Sequence, residues 1–112
     1  MQLIDSITED SNQTHTILLD DKSEVTLNLR YLAAPQKWMI DIIHNNLTVK
    51  GIILTNHPNI LHKWYRLIPF GLAVISVDKI DPFLAEDFVN GRISLYILNS
   101  DEVSRVHTEV LS

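Results

Sequence analysis

Apolar and polar residues alternate most clearly between Ser23 and Tyr31, where Val25, Leu27, Leu29 and Tyr31 are interleaved with Glu24, Thr26, Asn28 and Arg30. An extended chain sends successive side chains to opposite faces, so this segment predicts a strand buried on one face only. Lys37 to His44 repeats the pattern, with Trp38, Ile40 and Ile42 on one face and Met39, Asp41 and Ile43 on the other. Ala33-Ala34-Pro35-Gln36 between them reads as a loop, because proline lacks the ladder N–H and pushes Ala34 toward extended geometry. Asn45-Asn46 sits where a two-residue loop with positive φ would close a hairpin onto a returning strand, Leu47 to Leu54. Ile43, Ile52, Ile53 and Leu54 leave both faces of this hairpin apolar at one end. That calls for closure into a barrel or sandwich, or for cover from another chain.

Thr14 to Asp20 is β-branched and aliphatic and predicts an earlier strand, closed by turn chemistry at Asp20-Asp21-Lys22. Residues 1–13 read as a polar lead-in arm with little to bury. Residues 55–70 are the least regular, with a turn or helix start at Asn56-His57-Pro58 and at most two helical turns from Asn59 to Tyr65. Pro69-Phe70-Gly71 ends this excursion. Leu72 to Val77 predicts a strand, Asp81-Pro82 a turn, Phe83 to Val89 a short helix or irregular segment, and Arg92 to Leu98 the last strand. The tail, residues 99–112, is polar, with Val103, Val106, Val110 and Leu111 sparsely spaced for a helix and in need of a partner to order them. The sum is one all-β domain with minor α over residues 14–98. Its expected form is an antiparallel barrel or sandwich of about six to seven strands with one or two short helices. Leu27, Leu29, Tyr31, Trp38, Ile40, Ile42, Val74, Leu95 and Ile97 are the expected core.

A chain of 112 residues supports one packed core. Its 46% apolar and 21% charged content is that of a folded domain. There are no cysteines, which excludes disulfides, thiolate zinc sites and a cysteine nucleophile. The first residues lack a basic start and a continuous apolar stretch, and no segment approaches the length of a membrane span, so retention in a cytosol and no membrane contact are expected. Nine Lys and Arg against fourteen Asp and Glu give a net charge of −5, the wrong sign for a phosphate backbone.

Candidate chemistry is thin. Of the five histidines, His57 and His62 lie closest to a ligand spacing, but no HExxH pattern accompanies them, and capping or solvent-facing roles are preferred over a metal. The adjacent pairs Glu9-Asp10 and Asp20-Asp21 sit in turn-like contexts. Neither a phosphate loop nor a GxSxG elbow occurs among the three glycines. No catalytic, cofactor-binding or metal-binding residue is therefore assigned, and the chain is read as no enzyme. Two other classes remain in view. One is a small binding module for sugar or single-stranded nucleic acid using Trp38, Trp64 and Tyr65, for which Lys37, Lys63 and Arg66 provide little cationic support. The other is a hydrolase built on His57 or His62.

The order of features resembles a known family. Leu29-Arg30-Tyr31, a loop carrying Pro35, and Trp38-Met39-Ile40-Asp41-Ile42 are similar to the Leu-x-Tyr strand, proline loop and Trp-x-Leu-Asp strand of small baseplate plug proteins from contractile-tailed phages. Gly51-Ile52-Ile53-Leu54, Asn59-Ile60-Leu61, the run from Ile68 through Pro69 and Gly71 to Ile75, and Gly91 to Tyr96 continue the match over residues 14 to 98. Asn45-Asn46 departs from that family's Asp-x-x-Gly type hairpin, and Pro69-Phe70-Gly71 from its Pro-Gly-Gly. The resemblance implies a virion tail protein on the baseplate axis, without a cofactor, made in the host bacterial cytoplasm. Its implied partners are the hub and spike proteins, the tail tube and the tape measure, in a homo-oligomer for which a trimer is the first guess and a hexamer the alternative. Leu29, Tyr31, Pro35, Trp38, Asp41, Gly51, Pro69, Gly71 and Leu95 carry the motif, and Trp64, Tyr65, Phe70 and Phe83 are the interface candidates.

Overall fold

The computed structural model describes residues 2–19 and 21–110. Its strands are β1 (Gln2–Leu3), β2 (Asn12–Leu18), β3 (Glu24–Leu32), β4 (Lys37–His44), β5 (Leu47–Ile53), β6 (Gly71–Ser76) and β7 (Ile93–Leu98). They form two antiparallel sheets, a four-stranded one in the order β2-β3-β4-β5 and a three-stranded one in the order β1-β7-β6. The period-two segments pair as their pattern requires. Leu27, Leu29 and Tyr31 of β3 stand opposite Ile42, Ile40 and Trp38 of β4, and the hairpin closes through Asn45, whose φ is 53°.

The inner faces meet in one core. Val25, Leu27, Leu29, Trp38, Ile40 and Ile42 of the larger sheet pack with Leu72, Val74, Ile93, Leu95 and Ile97 of the smaller one. Burial of each such side chain contributes roughly 1.5–3 kcal/mol before chain entropy is set against it. The arrangement is a sandwich and not a closed barrel. Tyr31, expected inside, is half-buried at the rim.

Both termini are held. The arm, expected to bury little, pairs with β7 through β1 and continues with Ile4 N–H donating to Leu95 O at 2.8 Å. Ile4 and Ile7 enter the core. The Gln13 side chain secures the following turn by donating to the carbonyls of Thr8 and Asp10 and accepting the Thr8 N–H. At the other end Ser100–Arg105 is a helix, α1, followed by a π turn over Val106–Val110. Asn99 and Glu102 form a capping box at its start, which satisfies two otherwise orphaned N–H groups. Val103 and Val106 then lie with Tyr65 and Tyr96 against Ala73 and Leu98. The tail therefore folds onto its own domain without a partner, and Leu111 lies outside the described residues.

Two middle segments carry little or no helix, within what their sequence allows. Between Asn59 and Tyr65 only His62–Trp64 winds, as one 3-10 turn, and Phe83 to Val89 is a chain of turns. The first of these runs beside β6. His57 exchanges backbone bonds with Val74, and Ile60 N–H donates to Leu72 O. Asn59 is buried there, its Oδ1 accepting from the N–H groups of Leu61 and Leu72.

That close approach explains Gly71. A Cβ at this position would lie 2.8 Å from Asn59 Oδ1 and 2.9 Å from its Cγ. Gly71→Ala is expected to lower stability by about 2 kcal/mol through forced displacement of a hydrogen-bonded buried amide, read as a lower urea midpoint with an unchanged slope.

Candidate assembly surfaces

The end of the sandwich beyond Trp38 is closed by loops that one arginine gathers. Trp38 is fully buried, its Nε1–H donates to Leu84 O at 3.0 Å, and its ring meets Phe88 edge-on at 5.2 Å. The Tyr31 hydroxyl donates to Phe83 O at 2.8 Å. Asp87, also fully buried, accepts from the N–H groups of Phe83 and Leu84 and receives Arg92 bidentately, Nε at 2.9 Å and Nη2 at 2.7 Å. Arg92 also donates to Asp78 Oδ1, Ile80 O and Asp81 O. All the donors of a guanidinium are thereby used. Its Cζ lies over the Phe83 ring, 4.6 Å from the ring centre. Burial works against ionisation of Asp87, but Arg92 and the two backbone N–H groups outweigh it and hold the carboxyl below its ordinary range. Val77, Ile80, Phe83 and Val89, on or beside these loops, show apolar side chains to solvent.

The sheet edges differ in how they are finished. The free side of β6 is occupied by residues 57–60. β5 carries Lys50 and a bulge, where Lys50 and Gly51 together oppose Asp41 between the Ile42–Val49 and Ile40–Ile52 pairs. Gly51 has a φ of 75°, and its N–H donates to Asp41 Oδ1 at 2.8 Å; glycine is the residue that takes this conformation without strain. β2 has neither device. Its sequence, Asn12-Gln13-Thr14-His15-Thr16-Ile17-Leu18, holds no formal charge and no proline, and among the described residues no strand pairs with its other side. Tyr31 N–H donates to Ser11 O and Leu19 N–H to Ser23 O. By parity the odd-numbered residues face β3, and Asn12, Thr14, Thr16 and Leu18 point their N–H and C=O groups outward.

The outer face of the larger sheet continues from that edge. Arg30 and Asp41 form a 3.1 Å ion pair at its centre. Asn28 Oδ1 and Arg30 Nε are covered yet make no hydrogen bond. Ile43 and Ile53, on the end that seemed to need cover, remain 44% and 37% exposed. The sandwich therefore does not cover this face.

The sequence candidates scatter over the molecule. Leu29 and Leu95 are core residues, Pro35 lies in the exposed turn before β4, and Pro69 is exposed beside the buried Phe70. Phe70, grouped above with the interface aromatics, is 1% exposed and packs edge-on to His44. Tyr65 stacks on His107 at 3.9 Å, Phe83 lies under Arg92, and Trp64 lines a cleft with His57 and His62. With Trp38 inside, the aromatic set proposed for stacking on a sugar or base does not share one surface. His57 and His62 do meet, as stacked rings 4.8 Å apart. Burial, and then the neighbouring His62, lower the His57 pKa. Glu9 and Asp10 are exposed, and Asp20 lies outside the described residues. Among the described residues no group of three or more His, Cys, Asp or Glu is placed to hold a metal, and no helix is long and apolar enough to cross a membrane. The Asp87–Arg92 pair was missed, because its partners are joined by loop geometry and not by a motif.

Among the described residues the sandwich leaves an open strand edge, an exposed sheet face and a rim of apolar loops at its surface. A family model described as cyanophage baseplate Pam3 plug gp18 matches residues 1–101. The chain belongs to this family of baseplate plugs, structural components of the phage tail that associate with other baseplate components in the virion. No curated protein matches it.

Asp87→Ala is expected to cost about 3 kcal/mol, because it leaves the Arg92 charge and two N–H groups without their main partner. The depressed folded pKa of Asp87 makes its contribution full above the ordinary value of 3.8 and progressively lost as pH falls toward the lower folded value. Urea melts from neutral pH to about pH 3 should therefore show a steeper acid loss in the parent chain than in Asp87→Ala.

Proposed function

We propose that this chain is the plug that packs with the central hub and spike at the end of the tail tube, next to the tape measure, and that it acts by protein–protein assembly without catalysis. It is made in the host bacterial cytoplasm, and three copies around the tail axis is the first expectation, with six as the alternative.

The observation that carries this reading is β2. Sheet edges in free-standing proteins are blunted by charge, proline, a bulge or a covering segment. Here β5 and β6 have such devices and a seven-residue uncharged β2 has none. An extended segment of a neighbour can add to it with main-chain hydrogen bonds. The absence of cysteines suits assembly in a reducing cytoplasm.

Thr16→Pro tests this directly. The Thr16 N–H points away from β3, so proline there removes an outward donor while leaving the β2–β3 ladder in place. The variant is expected to fold, with a melting temperature within a few degrees of the parent, and to be missing from tails purified after complementation of a phage lacking the gene. Incorporation of the folded variant at the parent level, by mass spectrometry of those tails, would overturn β2 as the docking edge. Absence of the parent chain from the tails would overturn the plug assignment itself.

A further inference from the structure

The cleft beside the stacked histidines gathers basic groups on a protein that is otherwise acidic. It has a volume of about 340 Å³ and is lined by Lys50, His57, His62, Lys63 and Trp64 together with isoleucines, and no Asp or Glu is in its lining. The chain as a whole has a net charge of −5. Neither lysine takes part in an ion pair among the described residues. Two arginines elsewhere have carboxylate partners, Arg92 with Asp78 and Asp87, and Arg30 with Asp41. The cleft lysines, like Lys22, Lys37 and Lys79 among the described residues, therefore have no internal carboxylate partner, but they alone share a concave surface with the stacked histidines.

The histidines add a directed donor. Asn59 N–H donates to His57 Nδ1 at 2.9 Å. A ring nitrogen that accepts a backbone N–H carries no proton, which fixes the neutral ring as the Nε2–H tautomer. Among the described residues that Nε2–H has no hydrogen-bond acceptor. His62 lies flat against the ring at an interplanar angle of 19°, and Trp64 ends the same 3-10 turn. The turn that places His62, Lys63 and Trp64 is stitched to β6 through Asn59, and Lys50 arrives from the bulged strand β5. Two rigid elements therefore bring the cationic and donor groups to one concave surface.

We propose that this cleft is an anion-binding site that takes a carboxylate-bearing segment of a partner protein, the lysines and His57 Nε2–H meeting the acidic side chain while Trp64 and the lining isoleucines pack its apolar neighbours. A free phosphate shares the anionic chemistry but would leave the aromatic and aliphatic part of the cleft without a contact. A peptide uses both. The naming of a protein as the occupant rests on the plug reading above.

The test is calorimetric titration of the full chain with a short glutamate-rich peptide carrying one leucine, the same peptide with glutamine in place of glutamate, and inorganic phosphate. Binding of the glutamate peptide alone, weakened by added salt and by roughly fivefold for each of Lys50→Glu and Lys63→Glu, is the expected result. Both lysines are exposed, so these variants should keep the parent melting temperature. Equal binding of the glutamine peptide, binding of phosphate as tight as that of the peptide, or no binding of any probe would overturn the proposal. Failure here with the chain still present in purified tails would sink the cleft and leave the plug reading standing. Peptide binding by a chain absent from tails would do the reverse.

Discussion

The pairing of Arg92 with buried Asp87 is the constraint on which the closed end of this fold depends. A β-sandwich has no strand ladder at its ends, so the backbone groups of the connecting loops need partners supplied by side chains. Here one carboxylate takes the N–H groups of Phe83 and Leu84, and the guanidinium that neutralises it reaches on to the carbonyls of Ile80 and Asp81. The loop so fixed presents Leu84 O to the indole of Trp38 and Phe83 O to the hydroxyl of Tyr31. Trp38 can be wholly buried because its one polar atom has that acceptor. An aromatic motif on β3 and β4 and an ion pair between a turn and the start of β7 are thus parts of the same closure. Lysine could not replace Arg92, since a single ammonium cannot reach all the acceptors that the guanidinium fork spans.

The edges of the two sheets show a similar economy, applied unevenly. Residues 57–60 shield β6, with Asn59 filling the space that Gly71 leaves, and the bulge at Gly51 bends β5 away from flat pairing. β2 is straight, uncharged and paired along its whole length on one side only. An exposed edge of that kind is an aggregation hazard for a protein that lives alone. It is tolerable for one that spends its functional life in an assembly, which is where the family match puts the chain.

Most of the fold was legible because period-two patterning reports the half-buried strands directly. Leu27, Leu29, Trp38, Ile40, Ile42, Val74, Leu95 and Ile97 are all buried as that reading requires. The arm and tail were misjudged for a physical reason. Ile4 and Ile7 are isolated apolar residues whose burial depends on a sheet edge formed elsewhere in the chain, and no local period announces that. The tail did carry a signal, the Asn99-to-Glu102 spacing of a capping box, which outweighs a sparse apolar pattern. Phe70, one of the interface candidates, is instead buried between the exposed Pro69 and the strand that starts at Gly71. The stacking of His57 on His62 was not legible, since it depends on a 3-10 turn that no local pattern announces.

The surface of the chain carries a contrast of charge. Its acidic balance repels copies and neighbours of like charge, and this favours solubility before assembly. Against that background an uncompensated basic cleft acts over a longer range than an apolar patch, because Coulomb attraction extends to about a Debye length while packing requires contact. The cleft would therefore govern the orientation of first encounter, and the open edge of β2 the bond that follows, since main-chain hydrogen bonds form only once two strands are already aligned. The two features sit on opposite borders of one sheet, β5 and β2. A single rigid sheet would thus present different neighbours with different chemistry on its two sides, the arrangement that a head-to-tail contact around an axis requires and that a two-fold dimer does not.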